Sequence, residues 1–92
     1  MVVVTYDEFG GQWDHVSPPG QGGAPGPHDK WGPGTRIPAL IISPGTHGDF
    51  AVDHTQYDTT SIIKFITRRF GLEALPGVRA NAGDLTATFD LR

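Results

Sequence analysis

The sequence predicts an α/β fold, in which a parallel sheet, one main amphipathic helix and a long Gly/Pro-rich loop form a single domain over residues 1–92. Three observations support this prediction. Two runs are apolar nearly throughout instead of alternating, as is typical of parallel strands covered on both faces. A later stretch carries apolar residues at helical spacing. Between the two apolar runs, Gly and Pro are concentrated in a way that excludes regular structure.

The two apolar runs predict the strands, and the Gly/Pro-rich stretch predicts the loop between them. Residues 1–6 are rich in β-branched Val, which favours the first strand. The second strand is predicted over residues 37–43, before a Pro-Gly pair. Residues 12–34 are expected to form a long surface loop whose ends are anchored by Trp13 and Trp31, because large aromatic side chains mostly serve as packing area.

The main helix is predicted over residues 59–70. Asp58 or Thr59 can cap its start, and Gly71 can end it in a left-handed conformation. The apolar stripe predicted to face the core consists of Ile62, Ile63, Phe65, Ile66 and Phe70. The residues predicted to face water are Lys64, Thr67 and Arg68. Further along the chain, Asp84 is expected to cap a last short turn.

Adjacent acids follow the first strand. Asp7 and Glu8 are expected to lie beyond its carboxyl end, where ligands bind in open α/β sheets. The turn allowed by Gly10 and Gly11 lets the two carboxylates converge, and a divalent cation such as Ca²⁺, Mg²⁺, Mn²⁺ or Zn²⁺ would offset their repulsion. The alternative is that both are solvated loop residues, and spacing alone favours that alternative.

Asp14, His15 and His54 are candidates for contact with a substrate or for support of a metal site. His15 follows Asp14, and it can orient a substrate or simply hold the loop through a backbone hydrogen bond. His54 precedes the helix, where an anion can bind at the helix start, although a role in organising helix entry is favoured. Arg36 at the entry to the second strand could meet a phosphate, but Arg at the start of a strand is more often at the surface.

Three blocks of sequence carry a resemblance to a known family. Residues 5–19 read Thr-Tyr-Asp-Glu-Phe-Gly-Gly-Gln-Trp-Asp-His-Val-Ser-Pro-Pro, and residues 32–44 read Gly-Pro-Gly-Thr-Arg-Ile-Pro-Ala-Leu-Ile-Ile-Ser-Pro. A third block covers residues 53–62 and continues through 65–72. The blocks resemble, in the same order, those of the phosphoesterases that include bacterial non-specific phospholipases C and related acid phosphatases. Together they extend over nearly the whole chain.

The resemblance implies an alkaline-phosphatase-like fold and metal-assisted cleavage of phosphate esters. In that family the Asp-Glu pair that ends its strand ligates the active-site metal, which corresponds here to Asp7 and Glu8. Family members are longer, often secreted or periplasmic, and carry these blocks towards their C-terminal end. Their Ser or Thr nucleophile belongs to an N-terminal half, and no catalytic residue is recognised in this sequence. The chain departs from the family pattern at residues 45–49.

Composition restricts the partners. The net charge is −3 with only seven Lys and Arg, so no basic patch favours nucleic acid. The sequence contains no run long enough to span a membrane, no visible signal peptide and no Cys. Two apolar strands and one helix leave one sheet face bare, which predicts either a missing N-terminal half or a homo-oligomer.

Two classes of function follow from these observations. The first is the C-terminal half-site of a metal-dependent phosphoesterase of phospholipase C or acid phosphatase type, inactive alone. The second is a non-catalytic remnant or interaction module that works through a partner chain. Under either reading, a bare sheet face could serve as an oligomer interface.

Overall fold

The computed structural model describes residues 1–11, 14–20, 33–46 and 51–89. The chain divides into two compact units, Met1–Ile42 and Ser43–Arg92. The single domain predicted over residues 1–92 stays a prediction. Most of the long loop predicted over residues 12–34 lies outside the described residues, as do its proposed anchors Trp13 and Trp31.

A two-stranded ribbon forms the centre of the first unit. Strand β1 spans Val2–Thr5 and strand β2 spans Ala39–Ile42, each within the range predicted for it. The strands pair antiparallel, so the predicted parallel sheet is wrong. Parallel neighbours need a crossover connection, usually a helix. The sequence between these two strands has no apolar pattern of helical spacing that could form such a crossover. The antiparallel pairing is consistent with this.

One face of the ribbon is apolar and exposed. Val2 lies opposite Ile42 and Val4 lies opposite Leu40, so the four side chains share a face. Each of them is more than half exposed, from 54% for Val4 to 57% for Leu40. One bare sheet face is what the sequence predicted for two apolar strands and a single helix, although the sheet is not parallel. The apolar run correctly indicated strand, but not what lies against it.

Helix α1 of the second unit spans Thr60–Phe70, in agreement with the prediction. Asp58 caps it, because its carboxylate accepts a hydrogen bond from the Thr60 N–H at 2.7 Å. In turn, the Asp58 N–H donates a hydrogen bond to Ser61 Oγ at 3.1 Å, as in a capping box. Gly71 ends the helix with φ 64°, as predicted.

The helix packs with only part of the predicted stripe, since Phe65 stacks on Phe89 and Ile62 is half-buried. Ile63, Ile66 and Phe70 are exposed by 46%, 42% and 68%, whereas Thr67 is buried. Lys64 donates hydrogen bonds to the carbonyl oxygens of Ala80 and Ala82, so it is only partly exposed. Arg68 is exposed, as predicted.

That segment contains two 3₁₀ turns, Gly77–Asn81 and Thr86–Thr88. Asp84 caps the second turn by accepting from the Thr86 N–H at 3.1 Å, as predicted. Leu85 and Phe89 are the buried apolar side chains among the described residues. The Phe89 ring stacks on Phe65 of α1 with centroids 5.5 Å apart. Within the described ranges, no helix has the length and apolar content that a membrane crossing requires.

Candidate functional site

The two adjacent acids lie where β1 ends. Asp7 and Glu8 form a bend after the strand, and both are exposed. Gly10 and Gly11 follow with φ values of 61° and 72°, a region that glycine adopts without strain. The predicted turn after the acids is therefore confirmed. Among the described residues, neither carboxylate accepts a hydrogen bond or forms an ion pair.

The donor atoms of Asp7 and Glu8 suit a hard or borderline divalent cation, since both side chains offer uncompensated carboxylate oxygens. A catalytic metal site takes at least three protein ligands. In the part of the chain that the structure describes, no group of three or more His, Asp or Glu converges in this way. These residues fit two positions of a larger ligand set.

Asp14, His15 and Arg36 come together in the same unit. Arg36 Nε lies 2.8 Å from Asp14 Oδ2, and the Arg36 Nη2 donates to Oδ1 at 3.4 Å. His15 Nδ1 lies 3.0 Å from the same Oδ1. The side chain of Asp14 is only 14% exposed, whereas those of His15 and Arg36 are 84% and 65% exposed. A shielded carboxylate thus connects two exposed basic groups.

The carboxylate of Asp14 is held in its ionised form. Partial burial acts to raise the pKa of this carboxyl. The hydrogen bonds from the Val16 N–H and the Arg36 guanidinium, with the nearby positive charge, outweigh burial and lower the pKa below its usual value. Asp14 is therefore a fixed negative charge around which its donors are arranged.

Two other contacts join the segment after β1 to the segment before β2. The Thr5 hydroxyl donates to the Pro38 carbonyl oxygen at 2.7 Å. The ring of Phe9 lies so close to Gly34 that a Cβ there would be 3.2 Å from Phe9 Cε1. With the Asp14–Arg36 pair, these contacts fix the two segments against each other at the end of the ribbon that carries the acids.

His54 belongs to the second unit and is exposed. Its neighbour Asp53 accepts hydrogen bonds from the Thr55 N–H and the Tyr57 hydroxyl, both at 2.8 Å. The bonds from Thr55, with a further one from Tyr57, lower the pKa of the Asp53 carboxyl. This arrangement organises the chain that leads into α1.

The second unit also has an open cavity of about 260 Å³. Its lining consists of Phe65, Arg68, Arg69 and Thr86. None of the predicted site residues is among these four lining residues.

The sequence was compared with models of known protein families, and residues 1–73 match the Phosphoesterase family. This chain belongs to the phosphoesterase family. The match includes all three blocks that carry the predicted resemblance, and so the resemblance is confirmed. It also includes each of the candidate residues Asp7, Glu8, Asp14, His15 and His54.

Several curated phosphoesterases of this kind are similar to the chain. Phospholipase C B of Mycobacterium tuberculosis is 37% identical over 113 residues, which cover 97% of this chain and 21% of that protein. Non-hemolytic phospholipase C of Burkholderia pseudomallei is 34% identical, over 97% of this chain and 16% of its own length. Non-specific phospholipase C6 of Arabidopsis thaliana is 31% identical, over 80% and 17% respectively.

The phosphoesterase chain thus spans about a fifth of the length of the first of these relatives. No solved structure matches it, so the alkaline-phosphatase-like architecture stays a prediction. The coarser α/β class is confirmed, since the described chain has one two-stranded sheet and one α-helix.

Sequence reasoning missed the role of Arg36 in this phosphoesterase. Its expected surface position is confirmed, since the side chain is 65% exposed, but its ion pair with Asp14, 22 positions away, was not predicted. The sequence carries no periodic signal for such a pair.

Proposed function

We propose that this chain contributes the C-terminal part of a metal-dependent site that hydrolyses phosphate esters. Membership of the phosphoesterase family supports this class of reaction, and relatives named phospholipase C support a phospholipid or a similar phosphate ester as substrate. The observation that carries the proposal is the pair Asp7 and Glu8, two exposed and uncompensated carboxylates at the end of β1.

Asp7 and Glu8 would hold the divalent cation, which is Ca²⁺, Mg²⁺, Mn²⁺ or Zn²⁺. When bound, such an ion offsets negative charge on the phosphoryl oxygens and activates a nucleophile. The Gly10–Gly11 turn directs the chain away so that both carboxylates stay open to solvent. Further ligands and the nucleophile would come from a part of the enzyme that this chain does not supply, so we expect the chain alone to be inactive.

Metal titration tests the proposal directly. We expect Mn²⁺ to bind the full chain weakly in isothermal titration calorimetry. Asp7→Asn and Glu8→Gln should each weaken Mn²⁺ binding clearly, because each removes one of the two negatively charged carboxylate ligands proposed for the cation. The matched control is Glu73→Gln, which removes the same charge at another exposed position. Equal affinity in all four proteins would refute the assignment of Asp7 and Glu8.

Hydrolysis of p-nitrophenyl phosphate tests whether the chain is a half-site. We expect no release of nitrophenol above a blank that contains the metal alone. Release above that blank, lost in Asp7→Asn, would show that the chain carries a complete active site. That result would leave the metal assignment standing and overturn the division of the site between two parts.

The exposed apolar face of the ribbon favours a second candidate function, an interaction module that works through a partner chain. Val2, Val4, Leu40 and Ile42 form a contiguous apolar surface, which soluble monomers seldom expose. A non-catalytic remnant of the enzyme would bury the apolar face of the ribbon against its partner chain. Sedimentation velocity that gives a clean monomer at high concentration, together with metal binding at Asp7, would favour the half-site over the module.

A further inference from the structure

Asp14, His15 and Arg36 form a cluster whose geometry determines which side chain meets a ligand. Every hydrogen bond in it converges on the carboxylate of Asp14. Arg36 Nε contacts Oδ2 at 2.8 Å. Oδ1 receives His15 Nδ1 at 3.0 Å, the Val16 N–H at 3.3 Å and Arg36 Nη2 at 3.4 Å. Both oxygens are thus engaged by donors, and the carboxylate is fixed in position.

The contact with Asp14 sets the tautomer of His15. At this ion-pair distance of 3.0 Å the Asp14 oxygen can only accept, which favours the ring form that carries its hydrogen on Nδ1. The other nitrogen, Nε2, has no partner among the described residues, and the side chain is 84% exposed. Partner groups of this kind commonly fix the orientation of a functional imidazole. His15 therefore presents Nε2 to solvent in a defined direction.

Arg36 is the less suitable of the two basic groups for direct contact with an anion. Its Nε and Nη2 form the forked edge that binds a carboxylate or a phosphate through two bonds, and Asp14 already occupies that edge. The charge of Arg36 is also largely compensated by Asp14. The imidazole of His15 has one nitrogen committed and one free. In its protonated form it offers an Nε2–H donor to a phosphoryl oxygen.

We propose, on the basis of the function proposed above, that His15 is a phosphate-contacting residue of the same site and that Arg36 is a positioning residue that acts on it through Asp14. Arg36 holds Asp14, and Asp14 holds the imidazole. The segment before β2 thereby determines the orientation of a side chain on the segment after β1. The expected ligand is the phosphoryl group shared by phospholipids and phosphate monoesters.

Nuclear magnetic resonance of the full chain tests the positioning. Long-range ¹H–¹⁵N spectra distinguish the two imidazole tautomers, and His15→Gln identifies the His15 signals by their loss. In the neutral imidazole of His15 we expect the Nδ1–H tautomer to dominate. Arg36→Ala should shift the ring towards the ordinary mixture of tautomers, and Arg36→Lys should retain part of the effect. The control is Arg69→Ala, which removes an equal charge from the other unit.

Titration with inorganic phosphate in the presence of Mg²⁺ tests the contact. The His15 resonances should move on addition of phosphate, and the affinity should fall about tenfold in His15→Gln and less in Arg36→Ala. The control Arg69→Ala should bind like the parent chain. Phosphate that leaves His15 unmoved would overturn the contact. Phosphate that moves the Arg36 guanidinium signals alone would assign the contact to Arg36 instead.

Failure of this inference can be told apart from failure of the proposed function. Asp7→Asn should lose Mn²⁺ binding while keeping the His15 tautomer, whereas Arg36→Ala should do the reverse. If the parent chain does not bind Mn²⁺ but its His15 is the Nδ1–H tautomer, the metal site is wrong and the positioning stands. If Mn²⁺ binds and Arg36→Ala leaves the tautomer unchanged, the role of Arg36 is wrong.

Discussion

Replacing Asp84 by Asn should destabilise the second unit, because this carboxylate joins α1 to the segment beside it. Asp84 accepts a hydrogen bond from the Arg68 guanidinium of the helix. It also accepts from the Thr86 N–H at 3.1 Å and from the Thr86 hydroxyl at 2.5 Å. The Asp84 side chain is 17% exposed and that of Arg68 is 64% exposed, so solvent screens the ion pair more than the bonds from Thr86.

The size of the effect follows from the pKa of Asp84. The hydrogen bond from the Thr86 hydroxyl is the largest cause, and with that from Arg68 it lowers the pKa from 3.8 to about 2 against the opposing effect of burial. At about 1.4 kcal/mol for each pKa unit, the ionised carboxylate stabilises the folded unit by about 2 kcal/mol. Because the folded pKa is the lower one, this stabilisation is complete above the unfolded value and is lost as the pH falls through the folded value.

Urea unfolding followed by circular dichroism at 222 nm measures the loss. At pH 7 we expect Asp84→Asn to lower the free energy of unfolding by about 2 kcal/mol, and the difference should shrink progressively between about pH 5 and pH 2. Glu73→Gln is the control, since Glu73 is an exposed carboxylate of the same unit. A difference at pH 7 that persists unchanged at pH 2 would refute the electrostatic reasoning.

The remaining predictions concern packing in the second unit. Phe89→Ala should cost about 3 kcal/mol, since the ring is only 9% exposed, whereas Ile66→Ala should cost less than about 1 kcal/mol at 42% exposure. If urea unfolding gave equal losses of unfolding free energy for Phe89→Ala and Ile66→Ala, Ile66 would be a core residue, as the sequence predicted. Gly83→Ala should cost about 1–3 kcal/mol, because a Cβ there would lie 2.7 Å from Tyr57 Cδ1. Gly45→Ala, with its nearest contact at 3.7 Å, should change the melting temperature little, and a larger shift than that of Gly83→Ala would contradict the steric argument.

The elements that the sequence located correctly are those specified by local chemistry. The helix begins beside Asp58, whose carboxylate accepts the Thr60 N–H, and it ends at Gly71 because glycine adopts a positive φ readily. The two strands lie within the predicted apolar runs. In each case the deciding residues are neighbours along the chain, so the pattern alone is sufficient.

Strand direction could not be obtained in the same way. An apolar run indicates that a strand lacks a polar face, but it contains no information on which way the neighbouring strand runs. Direction depends on the connection. Among the described residues, the segment between Thr5 and Ala39 contains no helix or strand that would indicate the direction of β2. The antiparallel direction is seen only in the pairing itself, for example of Val2 with Ile42.

The candidate site also contains residues that local sequence identifies and contacts that only the structure shows. Asp7 and Glu8 were found from adjacency to a strand end, which is local. The contact of Arg36 with Asp14 depends on a long return of the chain and on mutual charge, which no spacing rule describes. The link between His15 and Asp14 lies between sequence neighbours, but its geometry required the structure, because a side chain can turn either way at that position.

The exposed apolar residues of helix α1 have a physical cause. Lys64 and Arg68 donate to acceptors on the neighbouring segment, and a partly buried acceptor left without a donor costs about 1–3 kcal/mol. These bonds hold one side of the helix against that segment, and Ile63, Ile66 and Phe70 remain at the surface. Covering apolar area is worth about 25 cal/mol for each Å². A surface that contacts this stripe, or the bare face of the ribbon, would thus gain stabilisation without disturbing the hydrogen bonds that hold each unit together.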